Sequence, residues 1–380
     1  MLRYLHERVP GGAEFAPGIL CGTSVGAIHA AFVAATADRP REQGRMLSEI
    51  WSSLRLEDVF HLGLRELATA WRRMSGGGSP AQDAAPAGLV DATPFQELVR
   101  SRVDWARLRA NVDGGLVRAV SVSATQVATG RTMVFVDRTG GGLPNWSRDP
   151  HVAVREAKIG PAHALASAAI PFVFPPVKVE NQWFCDGSLR QNTPLSPALR
   201  LGATRVLVIG VRHRSESTPD AQIASARLSE FPTPLFLAGK VLNALLLDRI
   251  DYDLARLEGF NAMIDGLETA FGPDAPARLA EVMGRSRGAP YRKVRAFHVR
   301  PSKDIGVLAA EYASGPQFAE RAKGLSARLA RRLARRDASR EADFLSYFLF
   351  DGGFARRLLD LGYTDAQAKH TEMAEFVDPR

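Results

Sequence analysis

The chain has 380 residues, of which 46% are hydrophobic and 24% are charged, so it can bury a full core and global disorder is excluded. It has no apolar run of the roughly 18 residues that a transmembrane helix needs, so no such helix is predicted. The formal net charge is +8, and it is concentrated in residues 318–340, where eight basic residues stand against two acidic ones.

The first residues predict a short helix, because Leu2, Leu5 and Val9 recur at the spacing of one helical face. The charged, amphipathic pattern of this helix is unlike that of a signal peptide. The two cysteines, Cys21 and Cys185, have no metal-binding spacing and are too few for a disulfide framework. We therefore expect a cytoplasmic protein.

The next segment has the pattern of a strand, a sharp turn and a helix, with a serine at the turn. The turn matches G-x-S-x-G, here Gly22-Thr23-Ser24-Val25-Gly26. In such a nucleophile elbow the serine backbone is strained so that its hydroxyl stands clear, and the two glycines keep Cβ atoms out of a crowded turn. The helix start offers free N–H groups, such as that of Val25, to a developing oxyanion. Ser24 is therefore the predicted nucleophile.

Farther along the chain, short apolar or β-branched runs alternate with helical patterns. Helices are predicted at 43–54, 57–74, 162–170 and from Thr93 onward, and strands at 116–125, 131–136, 177–179, 183–185 and 206–211. The run 206–211 is continuously apolar, which is typical of a parallel strand buried on both faces. Small and polar residues at 76–88 predict a flexible surface loop. Strands that alternate with helices indicate an α/β fold with a mostly parallel sheet.

The chain after residue 211 is mainly helical in its pattern. Helices are predicted at 235–257, 318–336, 341–350, 353–361 and 364–376, with one further strand at 294–299. We therefore divide the chain into a catalytic domain at 1–211 and a helical C-terminal extension at 212–380 that packs on it.

A second segment with chemical potential is Asp186-Gly187-Ser188, which follows the predicted strand at 183–185. The glycine places the carboxylate on a tight loop at the end of a strand, and ligands of α/β sheets bind at such ends. An Asp-Gly pair is also common in ordinary turns. Because a nucleophilic serine needs a base, Asp186 is the candidate for that role.

These segments together resemble the patatin-like phospholipase family. The similar segments, in the family's order, are 22–26, the helix and proline-rich turn at 166–176, Asp186-Gly187-Ser188, which matches D-G-[GA] at two of three positions, 192–195 with the strand after it, and the tail segments 345–351 and 361–363. The resemblance implies a three-layer α/β/α fold and a Ser-Asp dyad, with Ser24 as nucleophile and Asp186 as general base. It implies a phospholipid or another fatty-acyl ester as substrate, and no metal or organic cofactor.

The chain departs from the family at two places. The family's glycine-rich strand and loop supply most of its oxyanion hole and precede the helix that corresponds to residues 1–8, and the sequence given has no such loop. We expect the true start to lie upstream of Met1. The alternative is a real loss, which would open a sheet edge, lower the rate by about 10²–10³ for each lost donor and leave the Val25 N–H as the donor. At the second place, the Ser188 hydroxyl either binds Asp186 and lowers its basicity or points away.

Two other functions stay open. A Ser-His-Asp triad of the α/β-hydrolase type would use His298 or His370, because the histidine of such enzymes comes last in the chain. A catalytically impaired lipid-surface or scaffold protein would bind anionic membranes peripherally through the basic amphipathic helix at 318–340. Packing of the leucines on the domain, with the arginines facing water, is the favoured interpretation of that helix. Nucleic acid binding is not expected, because charge alone supports it.

Overall fold

The structure is a computed structural model that describes residues 1–56, 59, 91–144, 146, 149–171, 173–190, 193–213, 250–287, 292–321, 346 and 349–378. The predicted loop at 76–88, nearly all of the predicted helix at 57–74 and the basic segment after Arg321 lie outside the described residues.

Strands and helices alternate through the described chain. The strands are β1 (Ile19–Thr23), β2 (Ala119–Gln126), β3 (Thr132–Arg138), β4 (Val152–Glu156), β5 (Val177–Val179), β6 (Gln182–Asp186), β7 (Arg205–Ile209) and β8 (Arg295–Val299). The helices are α1 (Leu2–Arg8), α2 (Val25–Ala35), α3 (Pro40–Ser53), α4 (Thr93–Arg102), α5 (Trp105–Asp113), α6 (Pro161–Ser167), α7 (Leu195–Arg200), α8 (Ile250–Phe271), α9 (Ala275–Arg287), α10 (Ile305–Ser314), α11 (Pro316–Arg321), α12 (Gly352–Ala368) and α13 (His370–Val377).

The main sheet is built around β2. Its strand order is β4-β3-β2-β6-β5, and β1 also pairs with β2. Since β3 occupies one edge of β2 along its length, β1 and β6 share the other edge end to end. β1 pairs with residues 119–123 of β2, and β6 pairs with residues 124–126. The C-terminal ends of β1 and β6 therefore meet at one point of the sheet.

The α/β class is confirmed, with parallel pairing of β1 with β2, β3 with β4 and β7 with β8. The short connections β2–β3 and β5–β6 add antiparallel pairs, as does the meeting of β2 with β6. Among the described strands, β2 is the one that pairs with β1, so the other edge of β1 has no described strand beside it.

Helices cover the sheet through apolar side chains that alternate along β2. Val120, Val122 and Ala124 point into one cluster with Phe32 of α2 and Leu108 of α5. These side chains lie on one face because successive residues of a strand point to opposite faces. This packing holds α2, the helix that follows the turn at Ser24, firmly on the sheet.

The C-terminal helices join a second cluster. Tyr312 of α10, Phe318 of α11 and Phe354 of α12 pack with Phe95 of α4 and neighbouring residues. The buried Asp351 caps α12 by accepting a hydrogen bond from the Gly353 N–H at 2.8 Å, and it also contacts the Tyr312 hydroxyl and Arg321. The division of the chain at residue 211 stays a prediction; β7 and β8 pair across it.

The prediction that the apolar run 206–211 is buried on both faces is wrong for its last part. Ile209 is 53% exposed and Val211 is 56% exposed. The reason is that β7 pairs with β8 alone among the described strands, so this two-stranded sheet covers its side chains less completely than a central position would.

Other differences concern boundaries. The helix predicted at 162–170 ends at Ser167, the helix predicted at 364–376 is interrupted at Lys369, and β4 was not predicted. The helices that the structure describes include none that is long and apolar enough to cross a bilayer.

Candidate functional site

Ser24 lies between the end of β1 and the start of α2, as the elbow motif predicts. Its backbone has φ 55° and ψ −131°, in a region that non-glycine residues rarely adopt. Such a conformation costs about 1–3 kcal/mol and persists where the surroundings enforce it. The strain turns the chain sharply from the strand into the helix and leaves the Ser24 side chain partly exposed.

The two motif glycines have different roles. A Cβ at Gly22 would lie 2.1 Å from the carbonyl oxygen of Gly26 and 2.6 Å from the Cα of Ala27, so β1 and α2 approach too closely for any side chain. A Cβ at Gly26 would meet no described atom within 4 Å. The expectation that both glycines relieve crowding is therefore confirmed for Gly22 and wrong for Gly26, which faces open space beside Ser24.

Asp186 is the last residue of β6, and the sheet places it beside Ser24. Thr23 is paired with Ser123 of β2, and Asp186 is paired with the next residue, Ala124. The Ser24 hydroxyl donates a hydrogen bond of 2.6 Å to Oδ2 of Asp186. Two residues that are 162 positions apart in sequence are thus in direct contact, without a histidine between them.

The Asp186 carboxylate is completely buried, and neutral donors surround it. Its Oδ1 accepts a hydrogen bond of 2.8 Å from the Ser188 N–H. Burial raises the pKa of Asp186 from 3.8 to about 6, against the lowering effect of the hydrogen bonds from Ser24 and Ser188. The Ser188 hydroxyl also lowers this pKa, although the hydrogen bond from Ser188 to the carboxylate comes from its backbone N–H and not from that hydroxyl.

The glycine after Asp186 is required by close packing. A Cβ on Gly187 would lie 2.2 Å from the Ser123 carbonyl oxygen and 2.9 Å from Cγ2 of Thr23. The loop after β6 therefore passes directly over the end of β1 and the middle of β2, which is how Asp186 comes within reach of Ser24.

The start of α2 offers donors for an oxyanion. Val25 and Gly26 are the first two residues of the helix, and N–H groups at that position have no acceptor within the helix. Both residues are partly exposed. The Ser24 N–H is already used, because it donates a hydrogen bond of 2.9 Å to the hydroxyl of Ser167. The Val25 N–H therefore remains the candidate donor. The expectation that a glycine-rich loop upstream of Met1 supplies further donors stays a prediction.

Sequence reasoning missed the contribution of α6 and β2 to this site. The Ser167 hydroxyl contacts Ser24, the Ala169 carbonyl accepts the Asp186 N–H at 2.8 Å, and the Thr125 hydroxyl donates to the Asp186 carbonyl at 2.9 Å. A serine or threonine within a run of small or apolar residues was the available signal, but it does not say which backbone group the hydroxyl binds.

The histidines predicted for a triad have other partners. The Nδ1 of His298 lies 3.0 Å from Nη2 of Arg300, and the Nδ1 of His370 lies 3.0 Å from the Tyr4 hydroxyl. His29, one turn into α2, packs edge-on against Trp51, and burial lowers its pKa to about 4. Among the residues that the structure describes, none of these rings is hydrogen-bonded to Ser24 or Asp186.

Among the described residues, the structure favours none of three other features: a reactive thiol, a metal-binding group and a free basic surface. Burial raises the pKa of Cys185 to about 11 and that of Cys21 to about 12, so both thiols stay protonated at neutral pH. Within the described ranges, His, Cys, Asp and Glu form no group that could hold a metal ion. Arg321, the first arginine of the basic segment, is engaged with the buried Asp351. Membrane contact through 318–340 stays a prediction.

A family model for patatin-like phospholipase matches residues 1–199, which include β1, α2, β6 and the Ser24–Asp186 contact. The chain belongs to the patatin-like phospholipase family. A search of curated proteins found no match. Family membership supports lipid ester hydrolysis as the general activity of this patatin-like chain.

Proposed function

We propose that this protein hydrolyses fatty-acyl esters, with phospholipids or lysophospholipids as the substrate class, through Ser24 and Asp186. The observation that carries the proposal is the 2.6 Å hydrogen bond from the Ser24 hydroxyl to the buried Asp186 carboxylate. A serine is a weak nucleophile unless a neighbouring base takes its proton, and Asp186 is placed to do so.

In the proposed reaction the Ser24 oxygen attacks the ester carbonyl while its proton passes to Oδ2 of Asp186. The Val25 N–H, supported by the positive end of the α2 dipole, faces the oxygen that becomes negative. Protonated Asp186 then gives its proton to the leaving alcohol, and an acyl group remains on Ser24. A water molecule, deprotonated by Asp186, releases the fatty acid and regenerates the pair.

The environment of Asp186 suits this role. With its pKa raised to about 6, the carboxyl is ionised at neutral pH but is a stronger base than an exposed aspartate. The loss of catalysis on acidification should therefore follow a group with an apparent pKa near 6.

Apolar side chains beside the pair support an acyl substrate. Ile28 follows Ser24 by one turn of α2, and Leu189 follows Ser188. Both are partly exposed and pack against the apolar cluster that contains Phe95 and Phe174. An acyl chain bound at Ser24 could continue this apolar surface and be removed from water.

The test is hydrolysis of p-nitrophenyl butyrate and of lysophosphatidylcholine by the wild type and by Ser24→Ala and Asp186→Asn. We expect each variant to lose about 10³-fold or more in kcat/KM, because each removes one half of the reacting pair. His298→Gln and His370→Gln are the matched comparison and should keep wild-type rates if folded, as judged by thermal melting.

Full activity of Asp186→Asn, together with loss of activity in either histidine variant, would move the protein to the triad class. A folded wild type that neither turns over esters nor reacts with a fluorophosphonate would overturn the proposal.

A further inference from the structure

Ser167 is the last residue of α6 and is completely buried. Its hydroxyl makes two hydrogen bonds. It donates to the carbonyl oxygen of Ser123 in β2 at 2.6 Å, and it accepts from the N–H of Ser24 at 2.9 Å. The hydroxyl thus bridges the central strand and the backbone of the nucleophile.

These two bonds fix the direction of the hydroxyl. A serine hydroxyl has one proton and two lone pairs. Since the proton is directed to Ser123, a lone pair is left to face the Ser24 N–H. The pairing of β1 with β2 ends at Thr23, so the Ser24 N–H has passed beyond the strand ladder. Ser167 supplies the acceptor that the ladder no longer offers.

The same short segment also holds the base. Ala169, two residues after Ser167, accepts the Asp186 N–H through its carbonyl oxygen at 2.8 Å. The backbones of both reacting residues are therefore held by residues 167–169, at and just after the end of α6, one through a side chain and one through the main chain. Any displacement of one relative to the other is opposed by this common attachment.

We propose that Ser167 is a positioning residue, which holds the strained backbone of Ser24 so that its hydroxyl points at Asp186. The inference rests on the proposed ester hydrolase function and assigns Ser167 no contact with the substrate. It adds a third side chain on which the reacting geometry depends.

Removal of the hydroxyl should affect the rate of the chemical step and leave substrate binding nearly unchanged. In Ser167→Ala the Ser24 N–H loses its buried acceptor, so the unusual backbone conformation at Ser24 loses its support. The Ser24 hydroxyl then leaves Asp186 for part of the time. We expect kcat to fall about 10- to 100-fold while KM changes by less than about threefold, because misplaced reacting groups lower the rate of reaction more than affinity.

A second readout distinguishes positioning from simple destabilisation. The hydrogen bond from Ser24 lowers the pKa of Asp186, which burial otherwise raises. When that bond is weakened, the pKa of Asp186 rises. The acidic limb of the pH–rate profile should therefore move to higher pH in Ser167→Ala, a change that a loss of folded protein alone would not produce.

The experiment uses the full chain and three variants. Ser167→Ala removes the acceptor, and Ser167→Cys keeps a weak acceptor of similar shape. Ser121→Ala is the matched control, because Ser121 is an equally buried serine of β2, two residues before Ser123, whose hydroxyl is not bonded to Ser24. Active sites are counted with a fluorophosphonate, and kcat, KM and the pH profile of p-nitrophenyl butyrate hydrolysis are measured per labelled site.

The proposal expects a lower kcat and a shifted acidic limb for Ser167→Ala, an intermediate value for Ser167→Cys and wild-type values for Ser121→Ala. It is overturned if Ser167→Ala keeps its kcat per site and its pH profile, or if Ser121→Ala shows the same loss. If Ser167→Ala does not fold, an unchanged profile in Ser167→Cys overturns it. In these cases the wild type remains active and the ester hydrolase function stands, whereas an inactive wild type overturns both proposals.

Discussion

The burial of the central strand β2 and of the apolar strand β7 is the opposite of what their composition predicts. β2 has the sequence AVSVSATQ, with Ser121, Ser123 and Thr125 among its residues, yet its first seven residues are buried. β7 has the sequence RVLVI, yet its Ile209 is more than half exposed. The strand with more hydroxyl groups is the better buried of the two.

Neighbours account for the difference. β2 has β3 along one edge and β1 and β6 along the other, with helices packed on it, whereas β7 has β8 as its partner among the described strands. Two polar groups of β2 also contribute to the site. The Ser123 carbonyl accepts from Ser167, and the Thr125 hydroxyl donates to the Asp186 carbonyl. Burial of polar residues in β2 thus goes with the construction of the Ser24–Asp186 site.

The largest expected effect comes from a substitution at the junction of β1 and α2, in the better buried region. Gly22→Ala would place a Cβ 2.1 Å from the Gly26 carbonyl oxygen, which is backbone and cannot rotate away. We expect a loss of about 3 kcal/mol or more in the free energy of unfolding, since overpacking against backbone forces the elements apart. Urea denaturation measures it.

Gly26→Ala is the control for that change, because it alters the same motif where a Cβ meets no described atom within 4 Å. We expect unchanged stability or a gain of up to about 1 kcal/mol, since alanine favours helix more than glycine does. Equal stability of the two variants would contradict the close approach of β1 to α2.

The next effect concerns the buried carboxylate of Asp186, which is paired with Ala124 of β2. The pKa of Asp186 is about 6 in the folded protein against 3.8 for an exposed aspartate. Between these values the folded state binds more protons than the unfolded state, so the free energy of unfolding falls as pH rises through this window. Above pH 6 the cost is complete, at about 2–3 kcal/mol. Asp186→Asn removes this charge and its cost. We therefore expect this variant, although inactive, to be more stable than the wild type above pH 6.

Asp137→Asn provides the comparison for this stabilisation. Asp137 is also buried, but it accepts from Arg109 and from the Ile159 N–H, so its loss removes a buried ion pair and leaves Arg109 with its more exposed partner Asp113. We expect this variant to be destabilised at neutral pH. Thermal melting of both variants from pH 4 to pH 8 tests the pair, and a destabilised Asp186→Asn at pH 8 would contradict the assigned pKa.

The smallest effect compares one substitution in the two regions. Val122 of β2 is completely buried, and Val211, just after β7, is 56% exposed. Val→Thr replaces a methyl group by a hydroxyl of nearly the same size. It should cost about 2 kcal/mol at Val122, where the hydroxyl is buried, and less than about 0.5 kcal/mol at Val211, where it reaches water. Similar losses at both sites would show that β7 is better covered than its exposure indicates.

Much of the site was predictable because its residues belong to short local patterns. G-x-S-x-G between a strand and a helix located Ser24, and a carboxylate at a strand end followed by glycine located Asp186. The α/β class followed from the alternation of apolar runs with helical patterns, since strand and helix periods differ in sequence. The burial of the last part of the run 206–211 was predicted wrongly, because composition does not say which strands lie beside it.

Sequence alone predicted Ser24 and Asp186 as the reacting pair and indicated the fold class and the family, since each of these rests on short local patterns. Tertiary structure decided how the parts meet. The end-to-end arrangement of β1 and β6 along one edge of β2 brings Ser24 and Asp186 into contact, and α6 brings Ser167 to the Ser24 N–H. Strand register and helix docking depend on packing across the whole domain, and local spacing does not contain that information.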